Sequence, residues 1–282
     1  MANNPDITRY FEVAKKLTLE AGKWIANVDE KDKVVQNKVT EQDLVTNFDH
    51  KIEEFLIDNL ASEFPDHKFI AEEQVAHTNV KPELTDAPTW LIDPIDGTVN
   101  FVHSFPQFCI SVGLAICKEI VIGIVYNPTN CELYTAVKNG GAFLNDKPIH
   151  VSNATELKKS MVIFEMDFKT FEHTDIAVGR IVAMLQTAQA TRDVGSAALA
   201  LAYVASGIVD CYQIDGLQPW DVAAGVLIVL EAGGTLLDSK GGPYNLMKPN
   251  TVAASTCQLA CEVSKLIVDT DLKTQRKRLQ RT

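Results

Sequence analysis

Trp90-Leu91-Ile92-Asp93-Pro94-Ile95-Asp96-Gly97-Thr98-Val99-Asn100-Phe101 is the stretch on which the reading of this chain turns. The apolar run from Thr89 to Ile92 predicts a strand that stops on two carboxylates. Pro94 fixes φ between them, and Gly97 frees the backbone after them. A strand ending on Asp-Pro-x-Asp-Gly-Thr places both aspartates at its carboxyl end, where α/β structures bind ligands. Two hard oxygen ligands with a backbone carbonyl between them suit Mg²⁺. Thr98 can open a helix, whose first N–H groups attract phosphate. Alone, an Asp-Pro pair is only a capped turn. The rest of the chain changes that balance.

Upstream, Ile7, Tyr10, Phe11, Ala14, Leu17, Ala21, Trp24, Ile25 and Val28 recur at helical spacing and predict a helix over 6–28. A polar loop, 29–43, leads to a second helix over 44–63, with Asp49 near its start and off its apolar face. Residues 68–71 read as a short strand closing on Glu72-Glu73. Downstream, 109–117 and 120–126 predict a hairpin, and 132–137 another strand. The second half alternates. Strands are expected at 161–165, 210–214, 235–238 and 251–254, and helices at 176–185, 220–232 and 258–268. Arg192-Asp193-Val194-Gly195-Ser196 opens a further, small-residue helix through Ser206. No linker or repeat interrupts the chain, so 1–282 reads as a single domain. It divides into sub-lobes of roughly 1–155 and 156–270 and a basic tail, 271–282. Mixed hairpins favour an α+β architecture over a doubly wound parallel sheet.

The chain has 282 residues, of which 46% are apolar, enough for a large core. No run of 18 apolar residues exists and the N-terminus lacks signal-peptide features, so the expectation is a cytoplasmic protein with no membrane partner. Its 37 acidic residues outweigh 26 basic ones, giving a net charge of −11, which disfavours a nucleic-acid partner. A phosphorylated substrate would need metal ions to offset the carboxylates. The tail residues Lys273, Arg276, Lys277, Arg278 and Arg281 read as a solvated terminus. The six cysteines are dispersed and expected to be free thiols, and the six histidines form no zinc-binding cluster.

Acidic residues stand at several element ends: Asp49, Glu72, Asp93, Asp96 and Asp221. Each alone reads as a cap or a solvated end. Together they make an oxygen cage of the kind metal-assisted phosphoryl transfer needs.

With these motifs the chain resembles the inositol monophosphatase family of Mg²⁺-dependent, Li⁺-sensitive phosphatases, from end to end. The resemblance rests on Trp90–Phe101, on Trp220-Asp221-Val222-Ala223-Ala224-Gly225 running into Glu231-Ala232-Gly233-Gly234, and on Val194–Ala198 between them. Lys38, Asp43–Thr46 with Asp49, and Ile70–Glu73 stand upstream in the same order. It implies a layered αβαβα sandwich with mixed and antiparallel sheets, a homodimer, and two to three Mg²⁺ ions per site. Glu72, Asp93 and the Ile95 carbonyl would ligate the first ion, and Asp93, Asp96 and Asp221 the second. Glu72 with water would hold a third. Glu72 and Thr98 would activate the attacking water, with Asp49 bonded to Thr98. Gly97 and Thr98 would hold the phosphate, and Gly195, Ser196 and Ala197 would line the alcohol side, near Asp96 and Asp221. Lys38 would approach from the loop.

The implied reaction is hydrolysis of inositol monophosphate without a covalent phosphoenzyme. One position departs from the family. Inositol-selective members carry a Glu seven residues before the Trp-Asp aspartate, where this chain has Ile214. Ile accepts no hydrogen bond, so the adjacent Asp215 is the candidate substitute. Sugar phosphates and nucleotide 3′-phosphates are therefore alternative substrates, and a pseudophosphatase is the non-enzyme alternative. A haloacid-dehalogenase loop would need Asp-x-Asp, one residue shorter than the spacing here.

Overall fold

The computed structural model describes residues 5–26, 28–37, 44–78, 82–165 and 174–280. The first half contains α1 (Pro5–Ile25), β1 (Val35–Asn37), β2 (Leu44–Thr46), α2 (Asn47–Glu63), β3 (Lys68–Ala71), α3 (Glu72–Thr78), β4 (Thr89–Asp96) and α4 (Thr98–Val102). A run of strands follows: β5 (Cys109–Ile116), β6 (Glu119–Asn127), β7 (Glu132–Val137), β8 (Ala142–Leu144) and β9 (Lys147–Ile149). The second half contains β10 (Met161–Phe164), α5 (Thr174–Thr187), β11 (Ala190–Arg192), α6 (Ala197–Ala205), β12 (Cys211–Asp215), α7 (Pro219–Glu231), β13 (Thr235–Asp238), β14 (Asn250–Ala254) and α8 (Cys257–Leu279).

Strands β3 to β9 form a seven-stranded sheet in sequence order, parallel between β3 and β4 and antiparallel elsewhere. A five-stranded sheet has the order β11-β10-β12-β14-β13, with β10 parallel to both neighbours. Side-chain alternation places the helices. Trp90, Ile92, Val112 and Ile124 pack against α1 and α2, whereas Leu91 and Ala115 meet Trp220 and Ala223 of α7. In the smaller sheet, Ile163, Tyr212 and Ala253 face α6 and α7, while Val162, Cys211 and Val252 face α8. The result is a layered αβαβα arrangement with α6 and α7 between the sheets. A helix in that position must be apolar all round, and Ala197–Ala202 are buried without a break.

The α7 backbone lies close to β6. A Cβ on Gly123 would stand 2.5 Å from the Ala224 carbonyl oxygen, a backbone atom with nowhere to move. Gly123→Ala is therefore expected to destabilise the fold by about 2–3 kcal/mol, as overpacking does, read from the urea midpoint at unchanged slope.

Four local features differ from the sequence expectation. The strand before the aspartates continues through them: Asp93 opposes Ser111 and Asp96 opposes Cys109, with an irregular register between. Pro94 offers no N–H to the ladder, so the strand bulges instead of stopping. Residues 44–46 belong to a ribbon with 35–37, and α2 begins at Asn47 because Thr46 and Asp49 form a reciprocal cap. Glu72 opens the short helix α3, whose Glu73 and Gln74 N–H groups donate to Glu53 of α2, both at 2.7 Å. Residues 271–279 of the basic segment continue the last helix. α8 runs to Leu279, which puts Arg276, Lys277 and Arg278 in its last turn, where cations complement the helix dipole. Lys38 and Asp43 lie outside the described residues. Among the described residues, no helix is long and apolar enough to cross a membrane.

Candidate active site

Gly97 turns the chain from β4 into α4 with φ at 91°, a conformation that favours glycine. A side chain there would also collide, since a Cβ would lie 2.9 Å from Gln107 O and 3.0 Å from Gly195 O. Before the turn, Asp93 Oδ1 accepts the Ile95 N–H at 3.1 Å. After it, Thr98 Oγ1 lies 3.0 Å from Ile95 O and 3.3 Å from Asp49 Oδ1. Asp49 is fully buried, because its other oxygen caps α2 by accepting Thr46 N–H at 2.8 Å and Thr46 Oγ1 at 2.6 Å.

Asp96 reaches from one sheet layer to the next. Its carboxylate accepts Ser196 Oγ at 2.7 Å, Ala198 N–H at 2.6 Å and Ala197 N–H at 3.2 Å, all at the start of α6. Negative charge suits a helix start. Glu165, one residue past β10, accepts Val194 and Gly195 N–H at 2.9 and 2.8 Å, and Tyr212 OH at 2.9 Å. Asp221 caps α7 by accepting Gln218 N–H at 2.8 Å.

These elements enclose a cavity of about 420 Å³. Glu72, Asp93, Ile95, Asp96, Gly97, Thr98, Gly195, Ser196, Ala197 and Asp221 all line it, as the residues singled out from the sequence. Asp49 stands behind Thr98. The cavity also contains Glu165, Asp193, Ile214 and Leu217, which were not singled out as polar contacts. A carboxylate closing a predicted strand was the available signal for Glu165. Asp215 does not line the cavity. Arg180 Nη1 donates to its Oδ2 at 2.6 Å and Gln213 Nε2 to its Oδ1 at 3.1 Å, so its oxygens are engaged elsewhere while Ile214 faces in.

So many carboxylates in a buried place resist ionising together. Burial raises Asp93 well above the ordinary carboxylate range, and Glu72, Asp96 and Asp221 push it further. Burial lifts Asp96 to about 6 despite the bonds from Ser196 and Ala198. Burial lifts Asp49 to about 7, against the lowering by Thr46. A divalent cation relieves this repulsion, and the donors are all hard oxygens: carboxylates plus the Ile95 carbonyl. Among the described residues, no three His, Cys, Asp or Glu side chains form a closed metal cluster. Side chains such as Asp93, Asp96 and Asp221 would therefore have to turn toward an arriving ion, with that carbonyl and solvent completing the shell.

A sequence profile of the inositol monophosphatase family matches residues 6–270. The rat protein inositol monophosphatase 2 is 41% identical over 259 residues, covering 91% of this chain and 89% of its own. Tomato inositol monophosphatase 3 is 42% identical over 261 residues, covering 92% and 96%. The solved structure of inositol monophosphatase from Anabaena superposes with a TM-score of 0.80 at 30% identity, covering 94% of this chain and 97% of that one. Fold, acidic cavity and relatives agree: the chain belongs to the inositol monophosphatase family and is a phosphatase.

Proposed function

We propose that the protein hydrolyses inositol monophosphate to inositol and phosphate, with two to three Mg²⁺ ions held in the carboxylate-lined cavity. The observation that carries this reading is convergence. Glu72 from the start of α3 and Asp93 and Ile95 from β4 share one cavity with Asp221 from α7 and with Gly97 and Thr98. Glu72, Asp93 and the Ile95 carbonyl would hold one ion, Asp93, Asp96 and Asp221 a second, and Glu72 with water a third. When bound, such ions neutralise the phosphate dianion and lower the pKa of a bound water.

The chain's own part is positioning. Asp49, fixed by Thr46, braces the Thr98 hydroxyl, and Glu72 with Thr98 orients the attacking water. The Gly97 and Thr98 N–H groups hold phosphate oxygens. Gly195, Ser196 and Ala197 receive the alcohol. Lys38 completes the proposed set on the strength of the family resemblance. The chain acts as a single domain, as a homodimer in the cytoplasm, with Li⁺ competing at the second ion position.

Ile214 supports a second substrate reading, because an apolar side chain lines the cavity at the position where the resemblance implies a Glu in inositol-selective members. Sugar phosphates and nucleotide 3′-phosphates fit it. Phosphate release from inositol, sugar and nucleotide monophosphates, measured with Mg²⁺ and with or without Li⁺, separates these readings. Li⁺-sensitive turnover led by inositol monophosphate is expected. Preference for another ester moves the substrate, and no turnover of any ester makes the protein a pseudophosphatase.

A further inference from the structure

We infer that Asp193 selects the alcohol by accepting hydrogen bonds from hydroxyl groups of a leaving polyol, in the cavity whose β12 side is the apolar pair Ile214 and Leu217. The inference rests on the proposed phosphatase reading and names a substrate contact within that site.

The other cavity carboxylates are committed. Asp96 accepts three donors at the start of α6, and Glu165 accepts three from the 194–195 segment and Tyr212. Asp221 caps its helix, and Glu72 and Asp93 belong to the proposed ion-binding set. Asp193 differs. Among the described residues, the one donor that reaches it is the Gly195 N–H, which it shares with Glu165 Oε1 at 2.8 Å, so it keeps open acceptor positions. The adjacent Arg192 guanidinium donates back to the Thr191 carbonyl at 2.7 Å. Among the described residues, no cation pairs with Asp193, which is solvent-exposed while lining the cavity.

The segment carrying it is fixed on one side by the pairing of Arg192 with Ile163 in the smaller sheet and on the other at Val194. Asn100 Nδ2 donates to Val194 O at 2.8 Å, and Glu165 holds the Val194 N–H. An acceptor on a fixed backbone needs little ordering when a ligand arrives. The alternative acceptor is out of play. Asp215 bonds Arg180, and Arg180 is itself clamped by Asp271 through two bonds of 2.8 and 2.6 Å. For Asp215 to swing inward, a buried guanidinium would lose one of its carboxylate partners, the acceptor of its Nη1. Hydroxyl recognition therefore falls to Asp193, and the fitting ligand is a phosphate ester of a polyol with a free hydroxyl near the ester carbon.

Kinetics on two substrates test this. p-Nitrophenyl phosphate has no hydroxyl on its leaving group, whereas inositol monophosphate has several. Asp193→Ala is expected to raise KM for inositol monophosphate about tenfold, the size of one lost charge-assisted bond, with kcat little changed. The same variant is expected to leave kcat/KM for p-nitrophenyl phosphate within about twofold. Adding Ile214→Glu to Asp193→Ala is expected to recover much of the lost KM. An unchanged KM for inositol monophosphate, or equal losses on both substrates, overturns the inference alone. Wild-type turnover of p-nitrophenyl phosphate without turnover of inositol monophosphate overturns the functional reading and the inference with it.

Discussion

Asp93→Asn is expected to reduce phosphate release by more than about 10³-fold, the upper range for loss of one electrostatic stabiliser, and at the same time to raise the melting temperature of the metal-free protein. The two effects share a cause. Asp93 is buried beside Glu72, Asp96 and Asp221, and its ionised form is disfavoured by burial first and by those charges next. Asparagine keeps the shape and removes the charge. The metal-free protein then loses a repulsion, while the shared oxygen of both proposed ion sites becomes a weaker, neutral donor. Thermal scans with and without Mg²⁺ give the test. Wild type should gain stability on adding Mg²⁺, and the variant should start higher and gain little. A variant that keeps both activity and the Mg²⁺ shift would remove Asp93 from the proposed ligand set.

Arg180→Met is expected to cost about 3 kcal/mol, the low end of the range for breaking a buried ion pair because both carboxylates keep some solvent, and to lower the melting temperature by about 6–12 °C. The Arg180 side chain is 5% exposed and joins Asp215 of β12, which is 14% exposed, to Asp271 of α8, which is 18% exposed. Methionine fills much of the volume but leaves two carboxylates facing each other without a cation. The triple change Arg180→Met, Asp215→Asn, Asp271→Asn removes the charges together and should recover most of the loss. Recovery would show that the cost lies in unpaired charge. Equal destabilisation of the single and triple variants would assign it to packing. Because Asp215 adjoins Ile214, the single variant should also disturb KM more than kcat.

What could be read in the sequence was local. Asp93, Asp96, Gly97 and Thr98 stand together because one bulged strand and one glycine turn arrange them, and both devices are written in the single run from Thr89 to Thr98. The start of α7 was legible for the same reason, with Pro219 and Asp221 acting as first-turn residues. The length of α8 was not, because a helix carrying polar residues all round its end shows no apolar stripe. Nor was α3, whose first turn is satisfied by Glu53, twenty residues earlier. Arg180 meets Asp215 across 35 positions and Asp271 across 91. No periodicity encodes a partner at that distance, so the fate of Asp215 and the place of Asp193 in the cavity emerged only from the packed molecule.

The α6–α7 layer sets a schedule for biosynthesis. The larger sheet is complete once Ile149 has emerged, yet one of its faces is covered by α7, which ends at Glu231. About 80 further residues must be made first, and at ribosomal speeds of about 5–20 residues per second that takes roughly 4–16 s. During that interval the nascent chain presents Leu91, Ala115 and their neighbours as an uncovered apolar surface. The translating ribosome thus holds a half-protein that invites chaperone capture, and codons that slow translation between the two halves would prolong its exposure.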